Sequence, residues 1–282
     1  MNHTPLLKVD NLVKIFRGAG GVENVAVDGV SFGIQRGETF GLVGESGSGK
    51  STLGRCVMRL LAPDEGTVRF DGVDMAGLSG ENLRQLRKRI QMVFQDPYTS
   101  LNRRQSVGEI IAAPLLAHGI GSKAERNARV AALLDLVQLP ARFTARRPGE
   151  LSGGQAQRVA IARALALNPE FIVLDEAVSA LDMSVRAQIL NLLSELQRDL
   201  GLTYLFVSHD LSVIRYVCHT VAVMKQGKIV ELASRQQLFE NPQNAYTRQL
   251  LDAVPVPNPA VQRARVKSGR KYQEATGEIA EF

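Results

Sequence analysis

Residues Gly44-Glu45-Ser46-Gly47-Ser48-Gly49-Lys50-Ser51 fit the pattern GxxxxGK[ST]. No other stretch constrains the fold so tightly, because the pattern works in one setting: a buried strand running into a glycine loop that opens a helix. The flanks supply that setting. Glu38 to Val43 is a short apolar run suited to a buried strand, and a helical pattern runs from Lys50 to Leu61, stopping before Pro63. Glycines let the backbone curl so that successive N–H groups point at phosphate oxygens. The helix N-terminus adds partial positive charge. Lys50 would then reach the β- and γ-phosphates, and the Ser51 hydroxyl would ligate Mg²⁺. The plain alternative is an ordinary glycine-rich strand-to-helix turn. Kinases, GTPases and many motors share the pattern, so the loop by itself indicates only a nucleoside triphosphate.

The rest of the chain indicates an α/β fold. Leu6 to Phe16 and Val25 to Phe32 read as strands around the Gly-rich turn Arg17 to Gly21, an N-terminal antiparallel β subdomain. Thr67 to Phe70 followed by Asp71-Gly72 reads as a strand entering a tight turn. From about 97 to 167 helical spacing dominates, as in Val130, Leu133, Leu134 and Val137 within Lys123 to Val137. Strand and helix then alternate. Phe171 to Leu174 is a strand, Val185 to Leu200 a helix stopped by Gly201, and Thr203 to Val207 a strand. Thr220 to Met224 and Lys228 to Leu232 form a hairpin around Gln226-Gly227. Alternation of this kind implies a mostly parallel sheet. The expected domains are a nucleotide-binding domain over 1–235, with an inserted α-helical subdomain at about 97–167, and a short C-terminal extension over 236–282. The extension carries two short helices, the Pro-spaced run Val254 to Pro259, and a basic tail with Arg263, Arg265, Lys267, Arg270 and Lys271.

Composition excludes several other classes. The chain's 282 residues allow one large domain or one domain with an appendage. No apolar run approaches the 18 or so residues of a membrane span. The start MNHTPLLKVD lacks a basic region followed by an apolar stretch, so no secretory signal is expected. Cys56 and Cys218 are isolated, which suits small buried side chains in a reducing cytoplasm rather than a disulfide framework. A net charge of +6 is too modest to announce a nucleic-acid binder.

Two further motifs complete the nucleotide chemistry. Phe171-Ile172-Val173-Leu174-Asp175-Glu176 is an apolar strand ending in two acids. Asp175 would hold Mg²⁺ beside the loop, and Glu176 would polarise the water that attacks the γ-phosphate. Alone, such a pair is often the solvated start of a loop; beside a phosphate loop the paired reading prevails. Leu151-Ser152-Gly153-Gly154-Gln155 opens another helix and makes a second anion-binding terminus. One nucleotide does not need two such cradles from one chain, so the simplest geometry places the second against the nucleotide of another protomer; the plain alternative is a capped helix with a flexible lead-in.

The order GESGSGKST, FQDP, LSGGQ, FIVLDE, SALD and VSHD resembles the ATP-binding cassette (ABC) ATPase family. The resemblance implies a P-loop NTPase core and a head-to-tail dimer with two ATP molecules sandwiched between phosphate loops and signatures. It implies that Phe16 stacks on adenine and that Gly44, Glu45, Ser46, Gly47, Ser48, Gly49, Lys50, Ser51 and Thr52 hold the phosphates. It further implies that Ser152, Gly153, Gly154 and Gln155 reach the partner's ATP, and that Asp182 lies in the loop crossing the dimer seam. Gln95 would sense Mg²⁺ and the γ-phosphate, and His209 would contact that phosphate. Catalytic roles thus fall on Glu176, His209 and Gln95, and metal ligation on Ser51, Gln95 and Asp175. The chain departs from the family pattern at Ala156, after the signature, and at Ala177, after the catalytic Glu; neither position carries the chemistry.

Gly37 to Glu45, Thr52-Leu53-Gly54-Arg55 and Gln95 to Asn102 resemble the oligopeptide/dipeptide importer branch. So does Asn241-Pro242-Gln243-Asn244-Ala245-Tyr246-Thr247-Arg248-Gln249-Leu250-Leu251, with Asn244-Ala245 where that branch has His-Pro. No cysteine follows Cys218, so the chain is similar to the subunit type lacking a C-terminal cysteine cluster. The resemblance implies a peripheral ATPase on the cytoplasmic face of the inner membrane. Its partners would be a second ABC ATPase subunit (hetero- or homodimer), two transmembrane permeases and, indirectly, an external solute-binding protein. No specific nucleic acid is expected. The competing functions are a soluble ABC ATPase acting on nucleic acid or ribosomes, and the ATPase of an exporter.

Overall fold

The central strands are apolar without interruption because both of their faces are covered. The computed structural model describes residues 4–18 and 23–253. In chain order its elements are β1 (Leu7–Arg17), β2 (Glu23–Ile34), β3 (Thr39–Val43), α1 (Lys50–Val57), β4 (Glu65–Phe70), β5 (Val73–Asp74), α2 (Gly80–Arg89), β6 (Ile90–Val93), α3 (Pro97–Ser100), α4 (Val107–Ala117), α5 (Lys123–Leu136), α6 (Gly153–Leu165), β7 (Phe171–Asp175), α7 (Met183–Leu200), β8 (Thr203–Ser208), α8 (Leu211–Val217), β9 (Thr220–Lys225), β10 (Lys228–Ser234), α9 (Arg235–Glu240) and α10 (Ala245–Asp252).

The strands make two sheets. An antiparallel sheet has the order β2-β1-β4-β5, and a six-stranded sheet has the order β10-β9-β3-β8-β7-β6. In the latter β3 pairs parallel with β8 and β9, and β7 pairs parallel with β6 and β8; only β10 runs antiparallel to its neighbour. Period-two alternation divides the core. Phe171, Val173, Leu205 and Val207 pack toward α1 and the antiparallel sheet, while Ile172, Leu174, Tyr204 and Phe206 pack toward the helices on the other face. Stacked Phe32 and Phe40 rings, with centroids 4.9 Å apart, join the two sheets. Arg36 and Arg89 each pair with both Asp71 and Glu170, a four-residue ionic seam between the end of β4 and the start of β7.

Between β6 and β7 every regular element is helical. Three of these α-helices open on complete capping boxes, Ser106 with Glu109, Ser122 with Glu125 and Ser152 with Gln155. Each Ser side chain accepts a bond from an otherwise orphaned N–H, and loss of such a cap costs typically about 1 kcal/mol. Val130, Leu133 and Leu134 form the buried stripe of α5, and the two helices expected after residue 235 are α9 and α10.

One local expectation is corrected. The first helix ends at Val57, not Leu61. Arg59 adopts φ +51°, and its guanidinium donates to the carbonyls of Ala76 and Leu78, which draws the chain out of the helix. Helix α2 and strand β6 carry no clear local signal. The segment GENLRQLRKR offers few apolar residues, and it runs into β6 with no turn residue between them.

Both cysteines are free and buried. Among the described residues no helix is long and apolar enough to cross a membrane. Part of the Arg17–Gly21 turn, the Val254–Pro259 run and the basic tail lie outside the described residues.

Candidate active site

Strand β3 ends at Val43, and the chain turns through Gly44 to Gly49 into α1. Glycine is required at both ends of this loop. Gly44 has φ +152°, and a Cβ there would lie 2.1 Å from the Met224 carbonyl oxygen; a Cβ on Gly49 (φ +103°) would lie 2.0 Å from the Ala26 carbonyl oxygen. The loop is therefore pressed between β9 and β2. The Gly227 N–H donates to the Ser48 carbonyl (3.0 Å), and the Ser48 N–H to the Glu45 carbonyl (3.2 Å). No side chain caps α1, so its first N–H groups are free of side-chain acceptors.

Lys50 is buried, and its Nζ donates to the carbonyls of Gly44 (2.8 Å) and Glu45 (2.7 Å) and to Ser48 Oγ (3.3 Å). The ammonium is thus solvated by the loop itself. Burial lowers its pKa, opposed by the nearby Glu176, Asp175 and Glu45 carboxylates. Ser51 Oγ donates to Asp175 Oδ1 at 3.0 Å. Asp175 is buried at the end of β7, and burial raises its pKa, against the pull of the Ser51 bond and the charges of Arg55 and Lys50. A buried carboxylate bonded to a hydroxyl, beside a cluster of N–H groups, is a hard-oxygen donor set of the kind Mg²⁺ takes together with phosphate. The residues present fit that ion.

Glu176 follows directly and adopts a left-handed backbone, φ +49°, with its N–H bonded to the Val207 carbonyl (2.9 Å). The turn sends its side chain to two partners. Gln95 Nε2 donates to Oε2 at 3.0 Å, and His209 Nδ1 lies 3.1 Å from Oε1. Residues from the ends of β6, β7 and β8 therefore meet at one carboxylate, at the C-terminal edge of the parallel strands, where ligands of open α/β sheets bind.

Two adjoining cavities surround this cluster. One of about 540 Å³ is lined by Ser46, Gly47, Gly49, Lys50, Ser51 and Thr52, with Phe16 and the Gln226-Gly227 turn also on its wall. Phe16 is 40% exposed, and Lys14 Nζ sits 5.7 Å from its ring centroid. The second, about 480 Å³, is lined by Gly44, Glu45, Gln95, Glu176, His209 and Leu250, among others. Gln95, Glu176 and Ser46 belong to both. The structure thus brings together Phe16, the phosphate loop, Gln95, Asp175, Glu176 and His209.

It leaves the signature and Asp182 apart: none of Ser152, Gly153, Gly154, Gln155 or Asp182 lines either cavity. Ser152 caps α6 in a full capping box with Gln155. Gly153 and Gly154 pack on the start of the next long helix, where a Cβ on Gly154 would come within 2.4 Å of Val185 Cγ1. Asp182 caps α7, and the Val185 N–H bond holds its carboxyl below the usual carboxylate range.

Three features of the site were missed in the sequence. The Gln226-Gly227 turn was visible as a turn but not as a clamp on Ser48. Arg186, which links Asp210 (2.7 Å) to the Leu181 carbonyl (3.2 Å), joins the residue beside His209 to the loop that ends in Asp182. Tyr246 and Leu250 lay in a recognised motif, but nothing in the pattern said what they touch.

A family described as "ABC transporter" matches residues 27–179, and one described as "Oligopeptide/dipeptide transporter, C-terminal region" matches residues 230–278. A putative peptide import ATP-binding protein of Brucella ovis is 51% identical over 265 residues, covering 94% of this chain and 83% of that protein. The glutathione import ATP-binding protein GsiA of Escherichia coli O157:H7 is 52% identical over 265 residues, covering 92% of this chain and 42% of that protein. Among solved structures, a dimeric ATP-binding cassette in a post-hydrolysis state bound to ADP and Pi superposes with TM-score 0.74 at 34% identity, covering 81% of this chain and 98% of the other. The cassette cbiO1 from Clostridium perfringens, part of the ABC transporter complex cbiONQ, gives TM-score 0.77 at 28% identity, covering 93% and 99%.

Proposed function

The chain belongs to the ABC transporter family of ATPases, and from that premise we propose that it energises an importer of di- or oligopeptides from the cytoplasmic face of the inner membrane. The observation that carries the cargo class is the match of residues 230–278 to the oligopeptide/dipeptide transporter C-terminal region. The nucleotide-binding domain spans 1–235, and the extension spans 236–282.

In this reading ATP lies along the first cavity, with adenine against Phe16 and phosphates over the bare start of α1. Lys50 exchanges its loop carbonyls for phosphate oxygens. Mg²⁺, when bound with ATP, neutralises phosphate charge; Ser51, Asp175 and Gln95 are the residues that would hold it. Glu176 orients and polarises the attacking water. Gln95 and His209 hold one oxygen of that carboxylate each, so both also report its position. Ser152–Gln155 and Asp182 line neither cavity, so they serve the ATP bound by a second ATPase subunit, either another copy or a sister chain. Shifting a two-state equilibrium from about 1:99 to 99:1 takes roughly 5.5 kcal/mol of differential binding. Two nucleotides, each touching both subunits only when closed, supply such a bias.

The permeases would seat on the groove of about 630 Å³ between the core and the helical insertion, lined by Met58, Leu60, Gln91, Phe94, Pro114 and His118. Phe94 adjoins Gln95, so the groove and the catalytic cleft share one strand end. Purification of the tagged chain from native membranes in mild detergent, followed by mass spectrometry, tests this reading. Two multi-span permeases with an ATPase partner are expected; ribosomal or DNA-repair proteins without a membrane partner would overturn it.

A further inference from the structure

The phosphate loop is held from a third side, by the extension. Tyr246 lies on α10, and its hydroxyl accepts a hydrogen bond from the Glu45 N–H at 3.4 Å. Glu45 is the second residue of the loop, and its carbonyl is one of the Lys50 partners. The other clamps described above grip Gly44, Ser48 and Gly49; Tyr246 grips the segment between them.

The tyrosine is itself firmly placed. It is buried at 7% exposure. Lys225 Nζ lies 4.5 Å from its ring centroid, within cation–π range. Lys225 immediately precedes the Gln226-Gly227 turn that clamps Ser48, so the ring bridges two supports of one loop. Below it, Asn244 caps α10 by accepting from the Tyr246 N–H (2.9 Å). The Glu231 carboxylate in turn accepts from the N–H groups of Gln243 (2.8 Å) and Asn244 (3.0 Å), and Asn244 Nδ2 donates to the Val230 carbonyl (3.2 Å). Strand β10 therefore fixes the helix start, and the helix start fixes the tyrosine. Residues four apart share a helix face. Leu250, on the face of Tyr246, lines the same cavity as Gly44, Gln95, Glu176 and His209. The extension thus forms one wall of the catalytic cleft.

We propose that Tyr246 is a positioning residue for ATP binding: through the Glu45 N–H it holds the first half of the phosphate loop in its phosphate-ready curl, so that nucleotide affinity depends on the extension. This rests on the reading of that loop as the ATP cradle. A protein–protein hydrogen bond contributes about 0.5–1.5 kcal/mol net, and a bond whose role is to order the loop acts on the ground state and the transition state alike.

The test is Tyr246→Phe in the full chain, which deletes the hydroxyl and keeps the ring over Lys225. Kd for ATP is measured by titration with a fluorescent nucleotide and competition by ATP, alongside steady-state hydrolysis and thermal melting. Kd and KM should rise by roughly 2- to 10-fold, the range that bond energy converts to, with kcat within twofold of wild type and the melting temperature within a few degrees of it. Tyr246→Ala, which also removes the ring, should raise Kd further. If that variant fails to fold, the phenylalanine variant alone decides. An unchanged Kd in Tyr246→Phe, or a fall in kcat with KM unchanged, would overturn the inference. Wild-type protein that binds no ATP would overturn instead the reading of the loop on which it rests, and the inference with it.

Discussion

The starts of α1 and α6 are both glycine-rich helix N-termini, yet they are built in opposite ways. At α1 the cap is Gly49 in a left-handed conformation, no side chain accepts from the first N–H groups, and no acid stands in the first turn. At α6 the cap is Ser152, its Oγ accepts from the Gln155 N–H, and the Gln155 side chain accepts from the Ser152 N–H. The first terminus has open donors and lines a cavity with Lys50 and Glu176, while Asp175 bonds Ser51 of its first turn. The second bonds two of its own donors, the Ser152 and Gln155 N–H groups, and lines neither cavity. A helix end left uncapped is held open by its surroundings and is ready for an anion from its own side. A capped one is stable alone and offers only what an approaching partner can draw from it. In the proposed dimer, the division of labour between subunits would be written into the capping of these two helices.

The sharpest test of the open half is Glu176→Gln. Turnover should fall by at least about 100-fold, while ATP binding and ATP-driven dimerisation persist. Near-wild-type hydrolysis in a steady-state assay would remove Glu176 from its role.

Next comes Ser152→Ala against Lys50→Ala. Ser152→Ala should leave single-site ATP affinity intact and lower turnover by roughly 10-fold or more, with about 1 kcal/mol of helix capping lost. Lys50→Ala should lose ATP binding. Mixing the two purified variants should restore hydrolysis, since one composite site in a mixed head-to-tail dimer carries no substitution. A mixture as inactive as its components, from a wild-type chain that forms ATP-driven dimers with itself, would break the contrast between the two helix starts.

A smaller effect tests what the open site costs in stability. Burial raises the Asp175 pKa above its ordinary 3.8, so the folded state holds that proton more tightly than the unfolded one. Stability contributed by this group therefore falls as pH rises from 3.8 through the folded pKa. Asp175→Asn should melt a few degrees higher at pH 7 without nucleotide and lose Mg²⁺-dependent hydrolysis. Its advantage should shrink as the pH is lowered toward 4. A variant that melts lower at pH 7 would show that the charge is already compensated.

The smallest effect concerns Asp182. The Val185 N–H holds its carboxyl below the usual range, so the cap adds stability above the unfolded-state pKa, and that stability is lost as pH falls through the folded value. Asp182→Asn, still able to cap, should flatten this acid limb slightly in a pH-melting series. An identical limb would mean that the charge adds nothing to the cap.

Much of the core was legible because its signals are local. The strand before Gly44, the run Phe171 to Leu174, the Gly201 stop after α7 and the Gln226-Gly227 turn each announce themselves within a few residues. The meeting of Gln95, Glu176 and His209 was legible only through a resemblance, since parallel strands bring distant segments together without any trace in spacing. The true end of α1 depended on Arg59 finding the Ala76 and Leu78 carbonyls, a tertiary effect that propensity does not record. The bond from Glu45 to Tyr246 joins residues 201 positions apart, and no local pattern encodes it.

Glu176 sits at φ +49°, a conformation that costs a residue with a Cβ roughly 1–2 kcal/mol relative to its preferred regions. Glycine or asparagine would rest there more comfortably. Folding alone would favour another residue here; at that cost the turn delivers a carboxylate to Gln95 and His209, the group the proposed turnover needs. In a pair of sister cassettes where one site suffices, this is the position expected to decay first, leaving a chain that still grips nucleotide but no longer consumes it.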